Sequence, residues 1–295
     1  MAYEYYAPRQ LEELLDILSV KQETAKVLAG GTDLVVAMRE GELNCQCIVA
    51  LDKVPELKGI TLRGDTIVLG AMTTHTELAE SALINTRALL LAQAAASVGS
   101  PQIRNAGTVG GNIANASPAA DTVPAMVALA ARVNIVRKGG QRELLLTDLF
   151  QGLGKTTLAA DEIIQEITFD ALPVGTGSAF IKLARRNALA ISRVSAAAIV
   201  GCSRSPAGES RVTDCRLALG AVAPHPFRVA GAEQVLLGRT FTSGTIEECV
   251  AAAFNEISVT LGQRASAEYK KKAGPALVRR ALYQCDPAGR KAQAE

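Results

Sequence analysis

The chain lacks tryptophan altogether, and aromatic residues make up only 4% of its 295 residues. Its two histidines, His75 and His225, are too few for the usual donor sets of a zinc site. The six cysteines include one Cys-x-Cys pair, Cys45 and Cys47, and no Cys-x-x-Cys, so their spacing does not match a ferredoxin-type cluster. We therefore expect structural thiols and no metal site in this chain.

An excess of one charge and long apolar runs are also missing. The 31 basic and 29 acidic residues leave a net charge of +2, whereas nucleic-acid binding normally needs a concentrated basic face and stacking aromatics. No segment approaches the roughly 18 apolar residues of a membrane span, and the N-terminus has no basic stretch followed by an apolar one. We expect a cytoplasmic protein that neither binds nucleic acid nor inserts into a membrane.

What the chain does contain is a concentration of small residues at 107–121, Gly-Thr-Val-Gly-Gly-Asn-Ile-Ala-Asn-Ala-Ser-Pro-Ala-Ala-Asp. Paired glycines let main-chain N–H groups approach a ligand, and consecutive amides suit phosphate oxygens. Thr108, Asn112 and Ser117 add short polar side chains, and Asp121 can accept hydrogen bonds from a sugar hydroxyl or a ring N–H. We interpret the segment as a loop for an anionic, nucleotide-like ligand. The alternative is a loop that only turns the chain.

A second glycine pair lies at residues 29–34, Ala-Gly-Gly-Thr-Asp-Leu. The apolar run 25–28 before it is short and bounded like a buried strand, and the run 34–38 after it can open a helix. A strand, two glycines and a helix N-terminus form a phosphate-binding arrangement, because the helix dipole favours negative charge. Two such loops predict a site for a pyrophosphate dinucleotide.

Six segments together resemble, in order, the FAD-binding (medium) subunit of the molybdenum hydroxylases, the group of xanthine, carbon monoxide and nicotinate dehydrogenases. The resemblance covers nearly the whole chain. Its carriers are residues 29–34, 99–105 (Gly-Ser-Pro-Gln-Ile-Arg-Asn), 108–112 through Asp121, 180–183 with Arg185 and Arg186, 220–224 (Gly-Ala-Val-Ala-Pro), and Tyr269-Lys270 with 279–282 (Arg-Arg-Ala-Leu). Each segment alone is moderately specific, whereas the six in this order are strongly so.

The resemblance implies an α+β fold: a two-subdomain FAD-binding fold of the PCMH/vanillyl-alcohol-oxidase type and a C-terminal α+β domain of the CO dehydrogenase flavoprotein C-terminal type. We expect the FAD-binding domain at 1–175, with subdomains at about 1–56 and 57–175, and a C-terminal domain that closes over the flavin at 176–290. The residue pattern also predicts an Asn85-capped helix over 86–98 and a strand on which Phe180 and Lys182 share one face.

The same resemblance implies FAD held between the two subdomains, with its pyrophosphate on the two glycine pairs. The implied FAD contacts are Val27, Leu28, Ala29, Gly30, Gly31, Thr32, Asp33, Leu34, Val98, Thr108, Val109, Gly110, Gly111, Asn112, Ala116, Ser117, Asp121, Ile164, Lys182 and Ile191. Lys182 would lie near the isoalloxazine edge, where a cation stabilises a reduced, anionic flavin. Val98 stands where some relatives carry an aromatic ring, and Ala190 where many carry an acidic residue, and both bear on which oxidant reaches the flavin.

No nucleophile with a paired base and no opposed carboxylates are recognisable, so we predict no catalytic side chain and assign the chemistry to the flavin. The resemblance implies an electron-transfer subunit that accepts electrons from the [2Fe-2S] clusters of a small partner and passes them to NAD or another acceptor. A large molybdopterin subunit would oxidise the substrate, with xanthine or a nicotinate-type N-heterocycle favoured. The alternatives are a carbon monoxide or aldehyde dehydrogenase medium subunit, a stand-alone flavin oxidoreductase, and a binding module that has lost FAD.

Overall fold

The computed structural model describes residues 3–43, 45–186, 189–204, 209–262 and 266–286. The N-terminal unit consists of β1 (Glu4–Tyr6), α1 (Leu11–Lys21), β2 (Ala25–Leu28), α2 (Leu34–Arg39) and β3 (Cys47–Ala50), with 3-10 turns at Gln22–Thr24 and Pro55–Leu57. Its strands form a parallel sheet in the order β1-β3-β2. Leu14 and Leu18 of α1 are fully buried and pack with Cys47 and Val49 of β3, because apolar positions three and four apart share one helix face.

The middle unit contains β4 (Ile60–Arg63), β5 (Thr66–Gly70), α3 (His75–Glu80), α4 (Ala82–Arg87), α5 (Leu89–Ala96), α6 (Pro101–Ala106), α7 (Val109–Asn115), α8 (Thr122–Ala128), β6 (Arg132–Arg137), β7 (Gly140–Leu145), α9 (Leu146–Leu149), β8 (Phe150–Gly152), β9 (Lys155–Thr156) and β10 (Ile163–Asp170). An antiparallel sheet in the order β4-β5-β10-β6-β7 forms one layer, and β8 and β9 form a separate hairpin. All seven residues of α8 and five of the eight residues of α5 are buried, as expected of mostly apolar helices packed between two layers.

The C-terminal unit comprises β11 (Gly177–Leu183), β12 (Val194–Arg204), β13 (Ser210–Gly220), β14 (Phe227–Arg228), α10 (Ala230–Leu236), α11 (Ser243–Leu261) and α12 (Ala267–Gln284). Its antiparallel sheet, β11-β12-β13-β14, is covered on both faces. Phe180 and Ala197 pack into the core of the middle unit, whereas Ile181 and Ala196 pack into the core beneath α10–α12. The middle of β12 is therefore continuously buried, which explains its apolar run of small and β-branched residues.

The helix that the sequence predicts at 86–98 is divided in two, and Asn85 does not cap it. Ser81 is the N-cap of α4, since its hydroxyl accepts a hydrogen bond from the Ile84 amide at 3.3 Å. Asn85 lies inside α4, where its side-chain amide donates to the carbonyl oxygens of Ala79 and Ser81. The break falls at Ala88, whose φ of −160° is not helical. Serine and asparagine are both good N-cap residues, so the place at which the folded chain turns decides which of the two caps the helix.

The predicted C-terminal domain, at 176–290, extends past Asp286, the last residue that the structure describes. Among the described residues, no helix is both long enough and apolar enough to cross a membrane, and the two longest, α11 and α12, carry too many polar and charged residues.

Candidate functional site

A cavity of about 750 Å³ lies where the three units meet. Its wall draws residues from the segment 27–34 of the N-terminal unit, from the segments 71–75, 98–121 and 162–164 of the middle unit, and from 189–191 of the C-terminal unit. All of the predicted FAD contacts contribute to this wall except Leu28, Val109, Ala116 and Lys182. Val109 and Ala116 are instead buried in the middle core. A volume of this size is typical of small-molecule and cofactor sites.

The first glycine segment, residues 29–34, presents a row of main-chain donors. The amides of Gly30, Gly31, Thr32, Asp33 and Leu34 donate to no acceptor in the part of the chain that is described. Gly31 has a φ of +72°, a conformation that glycine adopts without a steric cost. Successive amides at a helix N-terminus form a concavity that binds phosphate oxygens, so this segment has the donor set that a pyrophosphate needs.

The second glycine segment, residues 108–112, differs from the sequence interpretation of an open loop. Thr108 is an N-cap and residues 109–115 form α7. The amides of Val109 and Gly110 donate to the carbonyl oxygens of Thr73 and Ala71, and the Gly111 amide donates to the Thr108 hydroxyl at 3.1 Å. The loop interpretation of 109–115 was wrong. Glycine content alone disfavours a helix, but hydrogen bonds to the carbonyl oxygens of residues 71 and 73 pair the first amides of α7 and stabilise its start.

The glycines of both segments instead allow close packing. A Cβ on Gly30 would lie 1.8 Å from the carbonyl oxygen of Ala106, and a Cβ on Gly110 would lie 2.6 Å from the Cβ of Ala71. The two segments are also joined directly, because the side-chain amide of Asn115 donates to Asp33 at 3.0 Å. The seam between the N-terminal and middle units therefore depends on the absence of a side chain at Gly30, and the packing of α7 within the middle unit depends on its absence at Gly110.

Replacing Gly111 with valine is expected to weaken FAD binding about tenfold. A Cβ there would lie 2.9 Å from the Thr108 hydroxyl and 3.6 Å from the Cβ of Ala29, so the valine methyl groups crowd the cap and the seam beside the first segment. Titration of the apoprotein with FAD, followed by flavin fluorescence, measures the change. Gly111→Ala should fall between parent and valine variant. An unchanged Kd in a folded Gly111→Val protein would show that this segment contributes packing only.

A buried polar cluster closes the side of the cavity next to the C-terminal unit. The Asp121 carboxylate accepts from the Lys182 ammonium at 2.5 Å and from the Ser192 hydroxyl at 2.7 Å. Lys182 also donates to the carbonyl oxygen of Ser97 at 3.0 Å. Burial raises the pKa of Asp121, and Lys182 and Ser192 oppose that rise. Both carboxylate oxygens thus accept hydrogen bonds from protein groups. Asp121 lines the cavity, whereas Lys182 lies behind it and is not part of the wall.

Several wall residues were missed by the sequence reasoning, among them His75, Ser100, Ile103, Asn115 and Glu162. Glu162 is held by a two-pronged contact with the Arg142 guanidinium at 2.7 and 2.8 Å. Ser100 caps α6 through the Ile103 amide. A capping pattern at Ser100 is visible in the sequence, but only the fold brings these positions to one cavity.

Comparison with known proteins decides the family. The family model described as the FAD binding domain in molybdopterin dehydrogenase matches residues 1–171, and the model of the CO dehydrogenase flavoprotein C-terminal domain matches residues 179–285. The chain is an FAD-binding subunit of the molybdenum hydroxylase family. As in that family, it has an FAD-binding domain followed by a C-terminal flavoprotein domain, and it is part of an FAD-dependent oxidoreductase.

Individual relatives of this molybdenum hydroxylase subunit span nearly the same length. The nicotinate dehydrogenase FAD-subunit of Eubacterium barkeri is 34% identical over 92% of this chain and 91% of its own. The xanthine dehydrogenase FAD-binding subunit of Escherichia coli O157:H7 is 31% identical over 90% of each. The solved structure of a carbon monoxide dehydrogenase from Hydrogenophaga pseudoflava, which lacks the Mo-pyranopterin moiety of the molybdenum cofactor, superposes with a TM-score of 0.88 and 32% identity over 97% of each chain.

The residues present fit the FAD cofactor of the family. The first glycine segment supplies amide donors without protein partners, and the rest of the wall offers apolar surface from Val27, Val98 and Ile164. Amides suit the pyrophosphate, and apolar walls suit the flavin and adenine rings.

Proposed function

We propose that this subunit transfers electrons within a molybdenum hydroxylase complex, from the [2Fe-2S] clusters of a small partner to NAD or another acceptor. A large molybdopterin-containing partner oxidises the substrate, of which xanthine or a nicotinate-type N-heterocycle is favoured. One observation carries the proposal: the chain matches, nearly end to end, proteins that are named as FAD subunits or medium chains of such dehydrogenases. Because those relatives are named as subunits or chains of larger dehydrogenases, we assign the remaining steps to partner subunits.

Bound FAD supplies the ability to collect electrons singly and release them as a pair. The residues of this chain bind and orient that cofactor. We propose that the first glycine segment holds the pyrophosphate through the amides of residues 30–34, and that Asp121 and Lys182 lie beside the flavin. Because Asp121 pairs with Lys182 at 2.5 Å, the carboxylate offsets part of the positive charge with which Lys182 would stabilise a reduced flavin.

The mouth of the cavity bears on the choice of electron acceptor, which overall similarity does not distinguish. Identities of 34%, 33% and 31% to the nicotinate, carbon monoxide and xanthine enzymes are too close to rank substrates. At the mouth, Leu189 is 57% exposed and Ile191 is 81% exposed, and both line the cavity with Ala190 and Val98. We propose that this apolar, uncharged rim selects the acceptor that reaches the flavin.

Anaerobic reduction of the purified chain tests the proposed role. The FAD of the chain alone is expected to bleach with dithionite but not with xanthine, nicotinate or carbon monoxide. In the complex purified with its partner subunits, one of these substrates should bleach it. Bleaching of the lone chain by NADH would support NAD as acceptor, whereas bleaching of the lone chain by an oxidisable substrate would contradict the proposal and favour a stand-alone oxidoreductase. A chain that retains no flavin once unbound FAD has been removed would refute both the electron-transfer role and the stand-alone oxidoreductase.

A further inference from the structure

His75 is the first residue of α3 and lies in the wall of the cavity. Its position is set by a capping box in which the Thr74 hydroxyl accepts from the Glu77 amide and the Glu77 carboxylate accepts from the Thr74 amide. The imidazole is only 2% exposed. Its Nδ1 is completely buried and has no hydrogen-bond partner among the described residues. Burying a polar nitrogen without a hydrogen-bond partner costs free energy, so the unpartnered His75 ring needs a structural or functional reason.

The ring lies against the same seam that carries the first glycine segment. The His75 amide donates to the carbonyl oxygen of Gly107 at 3.1 Å. A Cβ on Gly107 would lie 3.1 Å from Cδ2 and 3.5 Å from Nε2 of His75, and a Cβ on Gly30 would lie 3.0 Å from the Gly107 nitrogen. His75 and Gly30 therefore both pack against Gly107, which brings the Nε2 edge of the ring close to the unpartnered amides that begin at Gly30.

The imidazole is neutral in the folded protein. Burial, together with the positive charge of Arg104, lowers its pKa to about 4. A neutral ring carries one proton, and a buried N–H without an acceptor is rarer in proteins than a buried acceptor without a donor. The bare nitrogen is therefore the enclosed Nδ1, and the proton resides on Nε2, the nitrogen next to Gly107.

We propose that His75 is a recognition residue for FAD, donating from Nε2–H to an oxygen of the dinucleotide beside the first glycine segment. A neutral donor at this place adds a directed hydrogen bond to those of the amides without adding a positive charge to the cavity. The inference rests on the FAD cofactor of the family and not on which donor or acceptor exchanges electrons with it.

Three variants of the apoprotein test the contact by FAD titration. His75→Phe keeps a flat ring and removes both nitrogens, and we expect its Kd for FAD to rise about 10- to 100-fold. His75→Gln places an amide N–H near the former Nε2 and should recover most of the affinity, whereas His75→Asn, whose N–H corresponds to Nδ1, should not. His225→Phe is the matched control, because His225 lies outside the cavity wall and should bind FAD like the parent.

A second readout needs no variant that must fold. The sequence has two histidines, so side-chain nitrogen NMR of the ¹⁵N-histidine-labelled protein resolves both rings. The His75 ring is expected to be the Nε2–H tautomer, and its Nε2 signal should move on FAD addition while that of His225 does not. Equal losses in the phenylalanine and glutamine variants, or an Nε2 signal unmoved by FAD, would overturn the proposal. Failure of the parent itself to bind FAD would instead refute the FAD-based function.

Discussion

Replacing Gly30 with alanine is expected to abolish FAD retention and to destabilise the chain by about 3 kcal/mol. The added Cβ would lie 1.8 Å from the Ala106 carbonyl oxygen and 2.5 Å from its carbon. These are backbone atoms that cannot rotate away, so either the first glycine segment or α6 must move. Such a shift separates the N-terminal and middle units where residues 30–34 present their amides, so the proposed pyrophosphate contacts are expected to be lost with the seam.

The flavin absorbance of the purified protein and urea unfolding of the apoprotein report the two effects. Gly244→Ala is the matched control, since its Cβ would meet only the Thr242 hydroxyl, at 3.8 Å. That variant should keep its flavin and its stability. A Gly30→Ala protein with the flavin content and unfolding midpoint of the parent would show that the close approach to Ala106 is not needed.

Replacing Lys182 with methionine is expected to cost about 3 kcal/mol of unfolding free energy, because it leaves the Asp121 carboxylate buried without its counterion. The pair is shielded from water, with side-chain exposures of 14% for Lys182 and 8% for Asp121. The same pair joins the middle unit to β11, so the loss should also loosen residues 189–191 at the cavity mouth. The surface pair between Lys138 and Asp16, 61% and 53% exposed, provides the control: Lys138→Met should cost less than about 1 kcal/mol.

The pH dependence of this loss follows from the pKa of Asp121, which burial raises and Lys182 lowers. Without Lys182 the folded-state pKa rises further above the unfolded value of about 3.9. A group with a raised folded-state pKa loses stability as pH rises through that pKa, so the deficit of Lys182→Met should be larger at pH 8 than at pH 5.

Urea unfolding of the parent, Lys182→Met and Lys182→Met/Asp121→Asn at both pH values measures the effect. The double variant removes the buried charge altogether, so it should be more stable than the single variant at pH 8, and its deficit relative to the parent should change less with pH than that of the single variant. A single variant whose deficit grows toward pH 5, or a double variant that is less stable than the single one, would contradict the assignment of an ionised, buried pair.

Much of the fold was accessible from local patterns. The short apolar run ending at Leu28 predicted β2, the run from Leu34 predicted the start of α2, and the alternation of Phe180 and Lys182 placed both on one face of β11, all of which the structure confirms. These signals succeed because they are short-range: the period of a buried face depends only on local backbone geometry.

The second glycine segment and the capping of α4 were not accessible in this way. Glycine pairs signal an open loop when read locally, but Val109 and Gly110 donate to the carbonyl oxygens of residues 73 and 71, which support a helix instead. The choice of Ser81 over Asn85 as a cap likewise depends on where the chain turns. Propensities of either kind amount to about 1 kcal/mol, which tertiary contacts readily exceed.

The sequence by itself determined the family and the strand, glycine pair and helix of the first segment, and it predicted Asp121 and Lys182 as flavin contacts. Only the tertiary structure decided that these two residues, 61 positions apart, form one buried ion pair. It also decided that Gly30 packs against Ala106 and that His75 enters the cavity wall. The physical reason is that composition and spacing specify which groups a residue offers, whereas burial and partner atoms, which come from distant segments, determine whether those groups are left for a ligand.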